Sequence, residues 1–284
     1  MPNKTLAVIA AFLLTLIVAN LFGERKTITG INEKKNNDAV KKETQKKMKI
    51  EIWSDVMCPF CYIGKRNFEA ALAQFPDREN IEVEWKSFLL DPTIPELPQH
   101  QENIYQFVAA RKGISYERSV GMHQQVVRMA KDAGLEYHFD KVLVTNSLKA
   151  HRLIQIAKTK GLGENAEECL FYAYFTDGRN LSDDAVLTEL GNDIGLTNAE
   201  VKEALTNPVF QHKVEADGAE AYRLGAKGVP FFVLDRKYAI AGAQSGSEIL
   251  KVLETAYAQW KKDNSGLFQV AQGTTCTPGN ECTH

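Results

Sequence analysis

The sequence predicts an α/β protein in which a strand–helix–strand unit and a strand–strand–helix unit flank a large block of helices. Three observations predict it. In residues 48–56 (MKIEIWSDV) Ile50, Ile52 and Val56 fall in near-alternation, as in a strand, and the segment after Pro59 spaces Tyr62, Ile63, Phe68, Ala71 and Leu72 as a helix does. From Asn103 to Leu224 apolar residues recur at helical spacing and no convincing strand stands out. From Val229 two short apolar runs return around a tight turn, ahead of a last helical stretch.

Residues 6–19 (LAVIAAFLLTLIVA) are apolar except for Thr15 and follow Lys4, a length short for a membrane span and typical of a signal-peptide core. Residues 1–22 are therefore expected to be a signal peptide or an N-terminal membrane anchor. Residues 23–47 lack aromatics and any apolar period, and read as a lysine-rich flexible linker. Export or anchoring outside the cytoplasm is the preferred reading. Two features favour the cytoplasmic alternative: the excess of Lys and Arg behind the apolar segment, and Met48 as another start.

The folded body opens with the strand at Met48 and its helix, followed by a second strand, IEVEWKSFLL (81–90), which implies a parallel crossover. Prolines then end that run. Helices are expected in 103–113, 116–134, 146–161, 166–178 and 182–195, with Gly161, Gly178 and Gly195 at C-terminal caps. Thr197 and Glu200 form a capping box for the next helix, and Asn207–Pro208 opens another. VPFFVLD (229–235) and YAIAGA (238–243) read as a hairpin turning through Arg236 and Lys237, with Ser245 and Glu248 capping the final helix. The β-α-β and β-β-α units, residues 48–102 and 225–262, make up a minimal thioredoxin-like fold once the all-helical insertion, 103–224, is set aside. Residues 263–284 form a C-terminal tail.

The chain carries 34 Lys and Arg against 36 Asp and Glu. Residues 24–49 hold nine basic and four acidic side chains, so the remainder is acidic. An acidic body argues against nucleic-acid binding, which needs basic surface to displace counterions.

Five cysteines are present, two of them as Cys58-Pro59-Phe60-Cys61 at a strand-to-helix junction. There the free N–H groups and the helix dipole favour a thiolate at Cys58, Pro59 suits the first turn, and Cys61 stands one turn deeper, able to attack a mixed disulfide at Cys58. A zinc half-site and an inert disulfide are the alternatives. Zinc needs two more ligands. Cys276 and Cys282 stand beyond the last helix at an atypical spacing, so no metal is expected. Pro230 begins a strand that returns beside the cysteine-bearing helix. In a thioredoxin-like fold this position carries a cis peptide that brings the preceding backbone to the cysteines, where it pairs with an extended substrate.

Over roughly residues 48–262 the sequence resembles the DsbA-like thioredoxin family, specifically its FrnE-like branch of thiol-disulfide oxidoreductases, and is similar also to the 2-hydroxychromene-2-carboxylate isomerases. The resemblance rests on IEIWSDVMCPFCYIGKRNFEAAL, AHRLIQIAKTKG, AYFTDGRNLSD and LGAKGVPFFV. It implies Cys58 as nucleophile, Cys61 as resolving cysteine, and Val229 with a cis-Pro230 lining the substrate groove. Pro59 and Phe60 tune the couple: Phe60 stands where the best-known periplasmic oxidants carry His, so a less oxidising pair is expected.

The implied activity is disulfide oxidation or isomerisation in cysteine-containing proteins, with glutathione or another redox partner resetting the pair and no cofactor needed. Cys276 and Cys282 resemble the C-terminal pair of FrnE-like proteins with one residue extra between them. They are read as a local structural disulfide or an accessory redox pair. A glutathione-dependent isomerase or transferase of the same fold, and a peptide-binding or chaperone module, remain as alternative functions. Cys169 is expected to be a buried packing thiol. His151 and Asn146 are expected to be structural, and Asp55 either influences the cysteines or caps a turn.

Overall fold

The computed structural model describes residues 46–96 and 103–265. The expected leader, most of the linker and the cysteine-bearing tail lie outside the described residues. Four strands form one mixed sheet of order β2-β1-β3-β4, with β1 at Met48–Ser54, β2 at Ile81–Ser87, β3 at Phe231–Leu234 and β4 at Tyr238–Ala241. β1 pairs in parallel with β2 (Ile52 opposite Trp85) and antiparallel with β3 (Ile52 opposite Phe232).

Helix α1 (Pro59–Gln74) makes the crossover from β1 to β2. Between β2 and β3 come α2 (Ile104–Lys112), α3 (Tyr116–Asp132), α4 (Leu148–Lys158), α5 (Gly163–Phe175), α6 (Asp184–Asp193), α7 (Asn198–Thr206) and α8 (Pro208–Arg223). α9 (Gly246–Asn264) closes the described chain. This is the α/β, thioredoxin-like architecture with a helical insertion.

Two apolar bodies meet along α1. On one face of the sheet Ile50, Ile52, Phe232 and Leu234 pack with Phe68 and Phe75 near the end of α1 and with Leu253, Tyr257 and Trp260 of α9. The insertion has its own core, built around Leu153 and Ile154 of α4, Phe171 of α5, Leu187 of α6 and Val201 of α7. Cys58, Cys61 and Tyr62 belong to that second core. Each fully buried large side chain adds about 1.5–3 kcal/mol. The insertion is therefore held by burial of its own and forms one wall over the cysteine end of α1.

The other sheet face is covered by α8. Trp53, Phe231 and Val233 pack with Ala221, and the Trp53 indole N–H donates to the Asp217 carbonyl at 2.7 Å. Glu51 of β1 is buried as well: it pairs with Arg236, and Lys86 lies 3.5 Å from its carboxylate.

Four strand ends, in β2, β3 and β4, differ from the sequence expectation. β2 stops at Ser87 instead of continuing to Leu90, whose N–H donates to Asp55 Oδ2 at 2.6 Å and draws the chain off the ladder. β3 begins after Pro230, which has no N–H to offer, and ends before Asp235. β4 ends at Ala241, because Gly242 takes φ 77°. The hairpin turns one residue earlier than expected: Asp235 and Arg236 carry φ 48° and 56°, and Lys237 N–H closes onto the Leu234 carbonyl. No glycine or asparagine marks this primed turn, which explains the offset. The helix caps follow the sequence reading. Thr197 and Glu200 form a reciprocal capping box, Asn207 caps α8 ahead of Pro208, and Gly161, Gly178 and Gly195 are left-handed.

Candidate active site

The path from β1 into α1 is set by Asp55. Its carbonyl accepts the Cys58 N–H at 2.9 Å, its Oδ1 accepts the Met57 N–H at 3.1 Å, and its Oδ2 accepts the Leu90 N–H. One buried carboxylate thus ties together the chain before α1 and the chain leaving β2. Cys58 is the N-cap residue of α1, in extended conformation, with Pro59 in the first turn and Phe60 39% exposed beside it. Cys61, one turn deeper, is fully buried, and its N–H donates to the Cys58 carbonyl at 3.0 Å.

The Val229–Pro230 peptide is cis, and the Cys58 thiol points at the Val229 carbonyl over 3.6 Å. Gly64 on α1 permits this close approach: a Cβ there would stand 2.9 Å from Pro230 Cγ. The structure thus brings Cys58, Cys61, Pro59, Phe60, Val229 and Pro230 together. Cys276 and Cys282 lie outside the described residues.

Burial is the first cause, and the Cys58 sulfur the second, of a Cys61 thiol held well above its ordinary pKa; a hydrogen bond from the Asp55 backbone works the other way. Both cysteines are buried, but only Cys58 lines a cavity. Cys58 stands at a helix N-terminus facing a cavity, whereas Cys61 is sealed beneath it.

Tyr137, from the irregular segment between α3 and α4, donates its hydroxyl to the Pro59 carbonyl at 2.8 Å and stacks on Tyr62 and Phe175. Burial, then the Cys58 sulfur, raises its phenol above the ordinary range, so it stays a donor. Further along α1, the Tyr62 hydroxyl donates to Glu168 at 2.6 Å, and Lys65 and Arg66 pair with the same carboxylate, pinning α1 to α5.

A cavity of about 550 Å³ opens beside Cys58. Phe60, Phe107, Met122, Met129 and Phe139 give it an apolar wall, and Arg111 and Lys112 also line it. A cleft of about 800 Å³ elsewhere is lined by Lys65, Arg66, Glu168 and Cys169, but by neither cysteine of the pair. Of the two, Cys58 lines the smaller cavity alone, so that cavity is the one placed for chemistry at Cys58. Cys169 is half-buried rather than sealed, with its Sγ 3.9 Å from the Leu190 carbonyl. Asn146 closes the turn into α4 through the Leu148 N–H and donates to the Ile94 carbonyl.

A family model, the DSBA-like thioredoxin domain, matches residues 49–257. The chain belongs to the DsbA-like thioredoxin family. This DsbA-like chain is 34% identical to a structure described as a "probable DsbA oxidoreductase" from Streptomyces coelicolor, with a TM-score of 0.72 over 84% of this chain and 99% of that one. It is 28% identical to the Bacillus subtilis (strain 168) protein YwbO over 65% of this chain and 86% of YwbO. The cytosolic disulfide reductase DsbM from Pseudomonas aeruginosa shares the fold, at 19% identity and a TM-score of 0.54 over 74% of this chain and 99% of DsbM.

In this DsbA-like chain Tyr137 and the cavity wall escaped sequence reasoning, because each contact joins segments far apart along the chain. Glu167 escaped it too, although a signal existed: its helical neighbours Leu170, Phe171 and Tyr174 form the apolar stripe of α5, and a carboxylate on such a stripe is a warning of a buried charge.

Proposed function

We propose that the protein is a thiol-disulfide oxidoreductase that forms or isomerises disulfides in other proteins. The observation that carries this is Cys58 at the N-terminus of α1, directed at the Val229 carbonyl and open to an apolar cavity, with Cys61 sealed one turn behind. A substrate cysteine forms a mixed disulfide with Cys58. An extended substrate segment lies against the Val229 backbone, and an apolar side chain next to its cysteine fills the Phe107–Met122–Met129 cavity. To oxidise a dithiol, a substrate thiolate attacks the Cys58–Cys61 disulfide at Cys58 and Cys61 leaves as a thiolate; a second substrate thiolate then displaces Cys58, and the pair is left reduced. In the reverse direction Cys61 displaces the substrate.

No cofactor enters the exchange, and glutathione or a dedicated partner resets the pair. The second cysteine favours this reading over a glutathione-dependent isomerase, which needs none. Placement outside the cytoplasm, as an exported or tethered protein, fits oxidation. Among the described residues no helix is long and apolar enough to cross a membrane, and the segment that bears on tethering, residues 1–22, lies outside them.

The test is the reduction potential of the Cys58–Cys61 pair in glutathione buffers, with Cys276 and Cys282 replaced by serine. A value near about −180 mV or higher, yet below the roughly −120 mV of the strongest oxidants, is expected; one near about −270 mV identifies a reductant and supports the cytoplasmic alternative. Cys58→Ser is expected to abolish exchange. Exchange that survives this change refutes the assignment, and peptide binding without any exchange in the native chain identifies a binding module.

A further inference from the structure

The cavity beside Cys58 is apolar over most of its wall, and one buried side chain departs from that character. His123 of α3 lines the cavity and is only 9% exposed. Its Nδ1 stands 2.8 Å from the Ser119 carbonyl one turn earlier. A carbonyl can only accept, so Nδ1 carries the ring proton. Burial holds the imidazole below its ordinary pKa of 6.5, although the Ser119 bond works the other way, and the ring is therefore neutral at pH 7. Nε2 is then a bare lone pair, to which nothing donates among the described residues. Unlike the Tyr174 hydroxyl, which is sealed in the core, Nε2 keeps open surface, and that surface belongs to the cavity.

The ring is fixed from both sides. Tyr105 of α2 and Phe139 meet it edge-on, with centroids 5.0 and 4.7 Å away. Phe139 packs in turn on Tyr137 at 5.6 Å, and Tyr137 is the residue that holds the Pro59 carbonyl of the cysteine turn. The lone pair thus keeps one place relative to Cys58. Other polar groups on the wall are accounted for: Arg111 pairs with Asp91 at 2.9 Å, and Lys112 and Gln125 are exposed. For a purely apolar occupant phenylalanine would serve better at 123, because an acceptor covered by hydrocarbon loses its water and gains no partner.

We propose that this cavity selects protein substrates with a tyrosine close to the reacting cysteine, its ring resting on Phe107, Met122 and Met129 and its phenol donating to His123 Nε2. This rests on the oxidoreductase reading above and names the substrate class for the same site. Tyrosine matches the cavity in each of its parts. Its flat apolar body suits a space of about 550 Å³ walled by aromatic rings and methionines. The donor stands at the tip of a side chain with only two torsions to fix, so little entropy is lost on docking. The phenol also keeps its proton at pH 7. Phenylalanine fills the same space but strands the lone pair, and serine or threonine brings the O–H without the apolar body. His123 touches the substrate in this scheme and no reacting sulfur, so it sets specificity and leaves the exchange chemistry to Cys58 and Cys61.

Reduced single-cysteine peptides test this on the oxidised full-length chain with both tail cysteines replaced by serine. The peptide thiolate bonds to Cys58 as the Cys58–Cys61 bond breaks, and Cys61 takes the electron pair of that bond. Each peptide carries tyrosine one or two residues from its cysteine, on either side, and has a phenylalanine twin with the same thiol chemistry. At the position that reaches the cavity, the tyrosine peptide is expected to react about 10-fold faster than its twin. His123→Phe is expected to bring the ratio of the twins to one or below. A merely structural role for His123 would slow both twins alike and leave their ratio native.

Twins that react equally at every position, or a preference that survives His123→Phe, overturn the proposal. Should that variant fail to fold, NMR of the His123 imidazole decides, in a Cys61→Ser chain that traps the mixed disulfide with each peptide. An Nε2 resonance that moves with the tyrosine peptide and not with its twin supports the hydrogen bond, and equal shifts refute it. Exchange without any tyrosine preference removes this inference alone. A chain that exchanges with neither the peptides nor glutathione overturns the oxidoreductase reading itself, and this inference with it.

Discussion

Gly64 and Tyr137 hold the cysteine turn from opposite sides, and each can be tested singly. Alanine at 64 gains roughly 0.5–1 kcal/mol of helix propensity. The added methyl, however, meets the Pro230 ring at 2.9 Å in packed surroundings. Overpacking of that kind costs about 1–3 kcal/mol, so Gly64→Ala is expected to lose on the order of 1 kcal/mol in denaturant unfolding. An unchanged midpoint would mean that Pro230 moves aside freely. Tyr137→Phe removes one buried hydrogen bond and keeps the ring stack, for an expected loss of about 0.5–1.5 kcal/mol in the same assay. Cys58, Cys61 and Pro230 were legible in the sequence because their signals are local: a spacing, a helix start, a proline before a strand. Tyr137 was not, because its partner Pro59 lies 78 residues away and the segment that carries it has no period to read.

At the level of elements, α8 is fastened to the sheet and to α4 largely by one carboxylate. Asp217 accepts the Ser87 N–H at 3.0 Å and the Gln155 side-chain amide at 2.8 Å, with Lys86 3.4 Å away. Asp217→Ala orphans donors from β2 and α4 together. The expected loss is at least about 1.5–3 kcal/mol, read as a lower unfolding midpoint and as faster amide exchange at Ser87. Exchange at Ser87 that stays native would show that packing of Trp53 and Ala221 suffices to hold α8. The helices themselves were readable nearly end to end, since caps and 3.6-residue periods are written locally. Strand ends were read less well. What stops β2 is a carboxylate 35 residues earlier, and what turns the hairpin is a pair of ordinary residues, Asp235 and Arg236, at positive φ. Such a conformation costs roughly 1–2 kcal/mol per residue, and the ion pairs from Arg236 to Glu51 and Glu220 offset part of it.

Stability of the whole molecule carries the mark of Glu167. Its carboxyl is raised to about 7 in the fold by burial, against an ordinary value of 4.5. Below about pH 4.5 both folded and unfolded chains hold the proton and nothing is lost. Between 4.5 and 7 only the folded chain holds it, so this contribution falls as pH rises, and above 7 the loss is complete. Glu167→Gln is therefore expected to stabilise the protein at pH 8 by an amount on the order of 3 kcal/mol and to have no such effect at pH 4. Equal melting shifts at the two pH values would mean that the fold does not raise the Glu167 carboxyl above its ordinary value. The overall architecture was legible because its two halves announce themselves separately. The way the insertion closes over α1 was not, since it depends on pairings such as Asp55 with His151, 96 residues apart. The separation of Cys58 from the Val229 carbonyl is larger still, at 171 residues. At ribosomal rates of about 5–20 residues per second, roughly 10–35 s pass between synthesis of the two. Throughout that interval the nascent chain carries Cys58 and Cys61 without the backbone that faces Cys58 in the finished fold, so the cysteine turn takes its final surroundings only after Val229 has been made.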